Sequence, residues 1–434
     1  MKPLPRKNDT ASVFGLGRSG RALITHLVKC GVRVYAFDDA KREELGDVPL
    51  WLSSLGVPLL AGGQGEARGD FVFRTPSMRP DHPRLCRAAL RGATVMGEVE
   101  YFASLCPAPI YAVTGSDGKT TTASMLAALL AASGKRVYFG GNVGRSLLPF
   151  LDEMTERDAC VLELSSFQLM DMECPVDTGV VTNLTPNHLN WHTGMAEYTA
   201  AKRRLLHLSR RRVLPLGLFE EEEALRFSLD GQADFTLKGD TLYGLGIPLC
   251  ARTDVRAEGE HNLLNLLAAT AACAHTVPVR AVKAVARRFG GAPHRMETVA
   301  VRDGVRYVNS SIDTTPSRTA ATIKAQSGRG RLLLLLGGRG KALPISPLTD
   351  ALRGTDAVCF LFGEAREELA AAPNEAGCPY ALFPCLEDAF RAARAEARTG
   401  DTLLLSPAAT SYDAFADFEA RGARFRALVA EAEE

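Results

Sequence analysis

No two cysteines in this sequence stand in a C-x-x-C spacing; the ten are scattered, and several, such as Cys160 and Cys359, lie inside apolar runs. That pattern argues against a disulfide framework and reads as the reduced core thiols of a cytoplasmic protein. An excess of charge is missing too. The 51 basic and 50 acidic side chains nearly cancel, so nothing in the composition supplies an electrostatic grip on nucleic acid or on a membrane. Met1 to Thr10 is polar and lacks the apolar core of a signal peptide, and no later run approaches the roughly 18 apolar residues of a membrane span. Low-complexity segments and short-period repeats are absent as well. What is present is a chain of 434 residues, 46% hydrophobic, long enough for about three domains with cores of their own. Its expected partners are small molecules, and its expected state is a monomer.

The most informative stretch is Tyr111-Ala-Val-Thr-Gly-Ser-Asp-Gly-Lys-Thr-Thr-Thr122. An apolar run ends in a small-residue turn, then come a lysine and three threonines that open an alanine-rich segment up to Ala132, so the reading is strand, phosphate loop and helix. Unpaired N–H groups at a helix start and the helix dipole both favour an anion there. Lys119 is placed to reach terminal phosphates, and Thr120 to offer a hydroxyl to Mg2+. Val113 stands where the first glycine of G-x-x-x-x-G-K-[ST] belongs, which leaves T-G-x-x-G-K-T-T. An ordinary glycine-containing turn leaves the lysine and the three hydroxyls unexplained.

Upstream, Val13-Phe-Gly15-Leu-Gly17-Arg-Ser-Gly20 is a complete G-x-G-x-x-G, and the strand from Val32 to Phe37 ends in Asp38 and Asp39. An acidic pair about 20 residues beyond the glycines completes the fingerprint of a nucleotide or dinucleotide crevice. Taken alone it suggests a dehydrogenase, or a glycine turn with no ligand. Pro107 and Pro109 then punctuate the chain. After the phosphate loop, three expected strands each end in polar residues: Lys135 to Phe139 before Gly140-Gly-Asn-Val-Gly144, Ala159 to Leu164 into Glu163-Leu-Ser-Ser-Phe-Gln168, and Thr178 to Asn183 before Leu184-Thr-Pro-Asn-His188. Ligands collect at the carboxyl ends of strands in open parallel sheets, so these ends are expected to face one crevice. Met195 to Leu208 has helical spacing and carries Tyr198-Thr-Ala-Ala-Lys202. Short strands with hairpin signals follow Arg212, notably Lys238-Gly-Asp240. Beyond His294-Arg295 and the Asp303-Gly304 hairpin signal, three buried strands, Leu332 to Leu336, Ala357 to Phe362 and Thr402 to Leu405, imply a second open parallel sheet.

Taken in order, these motifs resemble the ATP-dependent Mur ligases, and within them the D-glutamate-adding type. The pieces that carry the resemblance span the chain: Thr114-Gly-Ser-Asp-Gly-Lys-Thr-Thr, Leu162-Glu-Leu-Ser-Ser-Phe-Gln-Leu169, Tyr198-Thr-Ala-Ala-Lys202, Glu260-His-Asn262 with Asn265, Pro293-His-Arg295, and the run from Leu405 to Phe418 that begins Leu-Ser-Pro-Ala. The resemblance implies an α/β fold of three domains. These are an N-terminal Rossmann-like domain for the UDP-substrate (1–107), a central P-loop-type ATPase domain with a mostly parallel sheet (108–293), and a C-terminal Rossmann-like amino-acid domain (294–434). It implies ligation of D-glutamate to UDP-MurNAc-L-alanine through an acyl phosphate, with ATP and two Mg2+ ions. Phosphoryl transfer needs charge neutralisation and alignment, hence lysine, metal and positioned amides.

By resemblance, Lys119, Glu163, His188 and Lys202 are catalytic, and Thr120, Glu163, His188 and Lys202 serve the metals, Lys202 as a carbamate. Gly115, Ser116, Asp117, Gly118, Lys119, Thr120, Thr121, Asn262, Asn265, Arg295 and Ser310 match the ATP site. Gly17, Arg18, Ser19 and Asp39 match the UDP site, with Asn142, Ser165 and Gln168 nearer the muramoyl-alanine arm. His188, Thr314, Lys341, Ser411 and Phe418 match the D-glutamate pocket. Three departures stand out: Ser310 where the family has an aspartate, with Asp313 expected to compensate, Ile312 for a lysine, and Thr75-Pro-Ser77 for Ser-Pro-Gly. A sibling Mur or folylpolyglutamate-type ligase, a nicotinamide-dependent oxidoreductase built on the glycine fingerprint, and an inactive nucleotide-binding regulator remain as alternatives.

Overall fold

A strand that is apolar at every position must be covered on both faces, and this chain meets that demand with helices on either side of mostly parallel sheets. The computed structural model describes residues 1–431 except 144, 258, 327 and 342, and holds three sheets. Two belong to one unit, Met1–Arg288, and one to a second, Phe289–Glu434. Gly144, which closes the Gly-Gly-Asn-Val-Gly run, lies outside the described residues.

The first sheet joins β1 (Thr10–Phe14), β2 (Arg33–Phe37), β3 (Leu59–Leu60), β4 (Phe71–Arg74) and β5 (Thr94–Gly97) in the order β3-β2-β1-β4-β5, all parallel. The chain winds outward from β1 to one side, then restarts at β4 on the other. Such a switch point leaves a crevice beyond the carboxyl ends of the two strands.

The second sheet has nine strands: β6 (Ile110–Thr114), β7 (Val137–Gly141), β8 (Ala159–Glu163), β9 (Val176–Val181), β10 (Ser209–Pro215), β11 (Leu225–Ser228), β12 (Phe235–Lys238), β13 (Thr241–Gly244) and β14 (Ile247–Ala251). Their order is β14-β13-β12-β11-β10-β9-β6-β8-β7. Of the short strands expected after Arg212, only β12 to β14 pair as hairpins, Lys238 facing Thr241 across the expected turn. β10 and β11 instead continue the parallel sheet, because Val213 and Leu214 are buried on opposite faces. The phosphate-loop strand β6 lies between β8 and β9, which places three polar strand ends side by side.

Within this unit the two sheets share one apolar core, with Phe73, Tyr101 and Phe102 from the first region meeting Leu162, Leu164 and Leu169 from the second. A buried ion pair reinforces the join. Arg74, at the end of β4, donates Nε to Asp171 Oδ2 at 2.8 Å and Nη2 to the Phe167 carbonyl at 2.7 Å. Among the described residues no helix is long and apolar enough to cross a membrane.

In the second unit, β15 (Glu297–Arg302), β16 (Val305–Asn309), β17 (Leu332–Gly337), β18 (Val358–Phe362), β19 (Tyr380–Phe383) and β20 (Thr402–Ala408) take the order β15-β16-β20-β17-β18-β19. β15 is the antiparallel edge, formed at the expected Asp303-Gly304 hairpin, and the rest are parallel. The leucine run in β17 shows why. Leu332, Leu334 and Leu336 pack with Ile323, Leu348 and Leu361 on one face, while Leu333 and Leu335 pack with Phe360, Phe390 and Phe425 on the other.

Candidate active site

The phosphate loop is fixed from beneath before any ligand is considered. Thr114 Oγ1 donates to the Leu164 carbonyl at 2.8 Å, the Asp117 amide donates to Asn183 Oδ1 at 2.9 Å, and Thr182 Oγ1 donates to the Asp117 carbonyl at 2.6 Å. Ser116 Oγ lies 2.9 Å from Tyr198 Oη and donates to the Thr185 carbonyl at 2.8 Å. The loop ends at Gly118 (φ +74°), and the helix Lys119–Ala132 starts there. A Cβ on Gly118 would come within 2.5 Å of Asn265 Oδ1, so both the backbone angle and the close approach require glycine. Lys119 folds over the loop, its Nζ on the carbonyls of Gly115 (3.0 Å) and Ser116 (2.8 Å). The first N–H groups of the helix lie beside that ammonium, an arrangement suited to an anion with several negative oxygens.

Beside the loop, Thr120 Oγ1 donates to Glu163 Oε2 at 2.6 Å and Asn142 Nδ2 donates to Oε1 at 2.9 Å. Glu163 is 1% exposed, and both of these partners are neutral. A buried carboxylate held by neutral donors next to a hydroxyl offers hard oxygen ligands, so these residues fit Mg2+.

Lys202 is drawn into the same corner from the helix Met195–Leu208. It is 2% exposed, donates to the Gly115 carbonyl at 2.6 Å, and lies 4.7 Å from the centre of the Tyr198 ring, one helical turn away. Burial, and then the charge of Lys119, bring its pKa down to about 7. A charge run such as Lys202-Arg-Arg is ordinarily a solvated helix face, and here its first residue is buried instead. The helix turns Lys202 inward and leaves Arg203 and Arg204 to bond Glu222 and the Met172 carbonyl.

His188, on the exposed loop after β9, has a left-handed backbone (φ +54°), and its ring packs edge-on to Phe167 at 5.1 Å. Partial desolvation, then Lys119 and Lys202, hold its pKa below the ordinary value.

The first-sheet crevice measures about 780 Å3 and is lined by Gly15, Gly17, Asp38, Asp39, Ser77, Arg79 and Trp191 among others. The two aspartates divide the work. Asp38 accepts the Leu16 and Ala40 amides at 2.9 and 3.0 Å, which shapes the glycine turn, while the Asp39 side chain is 90% exposed. Gly20 has a packing reason, since a Cβ there would meet the Gly15 carbonyl oxygen at 1.9 Å. Arg18 opens the helix Arg18–Lys29, and Ser19 lines a smaller cavity with Arg74, Glu98 and Gln168. Ser165 and Gln168 bond one another in a capping box at the start of the short helix Ser166–Leu169.

Asn265 is largely committed to structure, accepting from Thr122 Oγ1 at 3.1 Å and donating to Asn262 Oδ1 at 3.2 Å. Arg295 and Ser310 belong to the second unit. Arg295 is exposed, whereas Ser310 is fully buried and accepts the Met296 amide at 3.2 Å. Asp313, the residue expected to compensate, is tied into its own unit. Its carboxylate is 6% exposed and accepts hydroxyls from Thr322 and Ser406, both at 2.8 Å.

In the same unit Lys341 Nζ donates to Thr314 Oγ1 at 3.4 Å, Ser411 is 2% exposed, and the Phe418 ring lies 6.0 Å from His294. Residue-by-residue reasoning missed Arg421, which organises this group. It is fully buried and donates to the carbonyls of Ser311, Gly337, Ala409 and Thr410. Three loops meet on one guanidinium, whose pKa burial lowers to about 10. Arg421→Ala removes a donor from each of those carbonyls, of which Thr410 keeps a second one, the Arg339 amide at 2.9 Å; at roughly 1–3 kcal/mol per unsatisfied buried group, a loss of several kcal/mol is expected in denaturant unfolding of the second unit. A loss below about 1 kcal/mol would contradict this account of the three loops. The available signal was the spacing of Arg421 four and seven residues before Phe425 and Leu428, which puts it on the buried face of the helix Phe418–Glu431.

Two family models match the chain, the Mur ligase middle domain over residues 113–216 and the Mur ligase glutamate ligase domain over residues 294–409. With the geometry of the loop they define the class, a Mur ligase. The UDP-N-acetylmuramoylalanine-D-glutamate ligase of Clostridium perfringens (strain 13) is 38% identical over 98% of this chain and 97% of its own length, and that of Clostridium botulinum (strain 657) is 36% identical with the same coverage. The chain belongs to the family of UDP-N-acetylmuramoylalanine-D-glutamate ligases. Among solved structures, the UDP-N-acetylmuramate-alanine ligase MurC of Thermotoga maritima shares the fold, with a TM-score of 0.55 at 17% identity, covering 98% of this chain and all of that one.

Proposed function

We propose that this protein joins the L-alanyl carboxylate of UDP-N-acetylmuramoyl-L-alanine to the amine of D-glutamate, with release of ADP and phosphate, as a cytoplasmic step in peptidoglycan precursor synthesis. The observation that carries the reading is the convergence of Lys119, the Thr120–Glu163 pair and the buried Lys202 on one loop at a helix N-terminus. The relatives' shared name supplies the substrates.

ATP provides the phosphoryl group that turns the carboxylate into an acyl phosphate, and Mg2+ shields the phosphate charge. The remaining work belongs to the chain. Lys119, the loop residues Gly115 to Gly118 and the first amides of the helix, through Thr121, align the β- and γ-phosphates, and Thr120 and Glu163 hold one ion. His188 and Lys202, the latter as a carbamate, hold a second. Asn262, with Asn265 behind it, and Arg295 serve the nucleotide. Gly17, Arg18, Ser19 and Asp39 receive the UDP end, and Asn142, Ser165 and Gln168 the alanyl arm. In the second unit Lys341 and Thr314 meet a carboxylate of the incoming amino acid, Ser411 adds a hydroxyl, and Phe418 walls the pocket. The three domains divide at about residues 107 and 293, and the enzyme acts as a monomer on small molecules alone.

The test is phosphate release from ATP with UDP-N-acetylmuramoyl-L-alanine and a panel of amino acids. D-glutamate alone is expected to give robust turnover. Equal turnover with L-glutamate rejects the stereochemical assignment, and turnover with another amino acid in its place moves the protein to a sibling activity.

A further inference from the structure

Two residues that carry no role above link the first-sheet crevice to the loop of His188. Trp191 lies three positions after His188, and the amides of Trp191 and His192 both donate to the His188 carbonyl at 3.0 Å, so the three form one turn. The indole of Trp191 lines the crevice, and its N–H donates to the Ser77 carbonyl at 3.2 Å. Arg79, which also lines the crevice, grips that turn from the other side. Its Nη1 donates to the Trp191 carbonyl at 2.7 Å, its guanidinium lies 4.9 Å from the indole centre, and its Nη2 donates to Glu197 Oε1 at 2.9 Å. Glu197 Oε2 in turn accepts the Thr193 amide at 3.0 Å and lies 2.9 Å from His192 Nδ1. The Phe167 ring completes the contact, 4.3 Å from Trp191 and 5.1 Å from His188. A single packed group therefore has one surface in the crevice and another against the His188 ring.

We propose that Arg79 is a positioning residue that couples the two sites: a nucleotide seated in the crevice fixes Trp191, and Arg79 and Phe167 carry that constraint to the turn holding His188. The inference rests on the placement of the UDP end in this crevice. The physical basis is that His188 is exposed with a left-handed backbone, while the rest of the turn is anchored by Trp191 and by the buried His192, whose Nε2 lies 2.9 Å from Ser166 Oγ, so the position of His188 follows that of the turn.

Only two tryptophans occur in the chain, Trp51 and Trp191. In a Trp51→Phe background, titration with UDP alone is expected to change Trp191 emission saturably. Arg79→Ala is expected to lower kcat or raise the KM for D-glutamate by about tenfold or more, equivalent to about 1.4 kcal/mol, while the KM for UDP-N-acetylmuramoyl-L-alanine moves less than about threefold. Arg79→Lys, which keeps a cation near Glu197 and the indole, is expected to recover part of the loss. If Arg79→Ala does not fold, Trp191→Phe, which loses the Ser77 bond and keeps a ring beside Arg79, is read by the same kinetic split.

UDP that binds by calorimetry without altering Trp191 emission overturns the placement in the crevice, and this coupling with it. An emission change accompanied by an effect of Arg79→Ala on the UDP-substrate KM alone overturns the coupling and leaves the placement standing.

Discussion

Lys119→Ala is expected to abolish phosphate release, lowering kcat by at least about 10²-fold, the scale on which a single preorganised donor to a developing charge acts. The reason is electrostatic. The Lys119 ammonium is fixed by two loop carbonyls at 2.8 and 3.0 Å, within reach of the anion that the helix start favours. Lys202 does not compensate, because it is held on the Gly115 carbonyl with its pKa near 7. Affinity for the UDP-substrate, which we place on the first sheet, is expected to stay within about threefold, so the loss reads as kcat and not as that KM. Retention of more than about a tenth of the wild-type kcat would remove Lys119 from the phosphoryl step.

Lys202→Arg is expected to be nearly as damaging, and for a different reason. A lysine of ordinary pKa near 10.4 is less than about 0.1% neutral at pH 7, whereas one near 7 is about half neutral and therefore able to attack CO2. The folded structure lowers this pKa, so the neutral amine gains as pH rises through 7 and falls to about a tenth of the total at pH 6. Arginine keeps the positive charge and cannot take this path. With 13C-labelled bicarbonate, wild-type protein is expected to show a carbamate carbon that Lys202→Arg lacks, and enzyme stripped of CO2 to regain activity more slowly at pH 6 than at pH 7.5. Full activity in CO2-free buffer with no labelled carbon would show that the lysine works as a free amine.

Much of the site could be read from order and residue type. The strand, turn and helix around Lys119 are local: an apolar run, two glycines at the turn and a series of helix formers define them within a few residues. Glu163 was readable as the polar end of an apolar strand. What stayed hidden was long-range. That Lys202 points inward depends on burial supplied by Tyr198 and the loop, and charge runs such as Lys202-Arg-Arg look solvated in a linear reading. Asp38 and Asp39 are equivalent by spacing, yet only Asp38 is committed to the glycine turn. Asp313 seemed free to replace the missing aspartate until Thr322 and Ser406, 9 and 93 residues away, enclosed it.

By itself the sequence determined the class of fold and the chemistry of the phosphate loop, because periodicity, turn residues and short-range spacing act over a few residues along the chain. The tertiary structure alone decided which ionisable groups are buried and which partners they meet: Lys202 on the Gly115 carbonyl, Arg421 at the junction of three loops, Arg79 beneath Trp191. Desolvation and hydrogen bonding between residues far apart in sequence fix those states, and neither has a signature in local order.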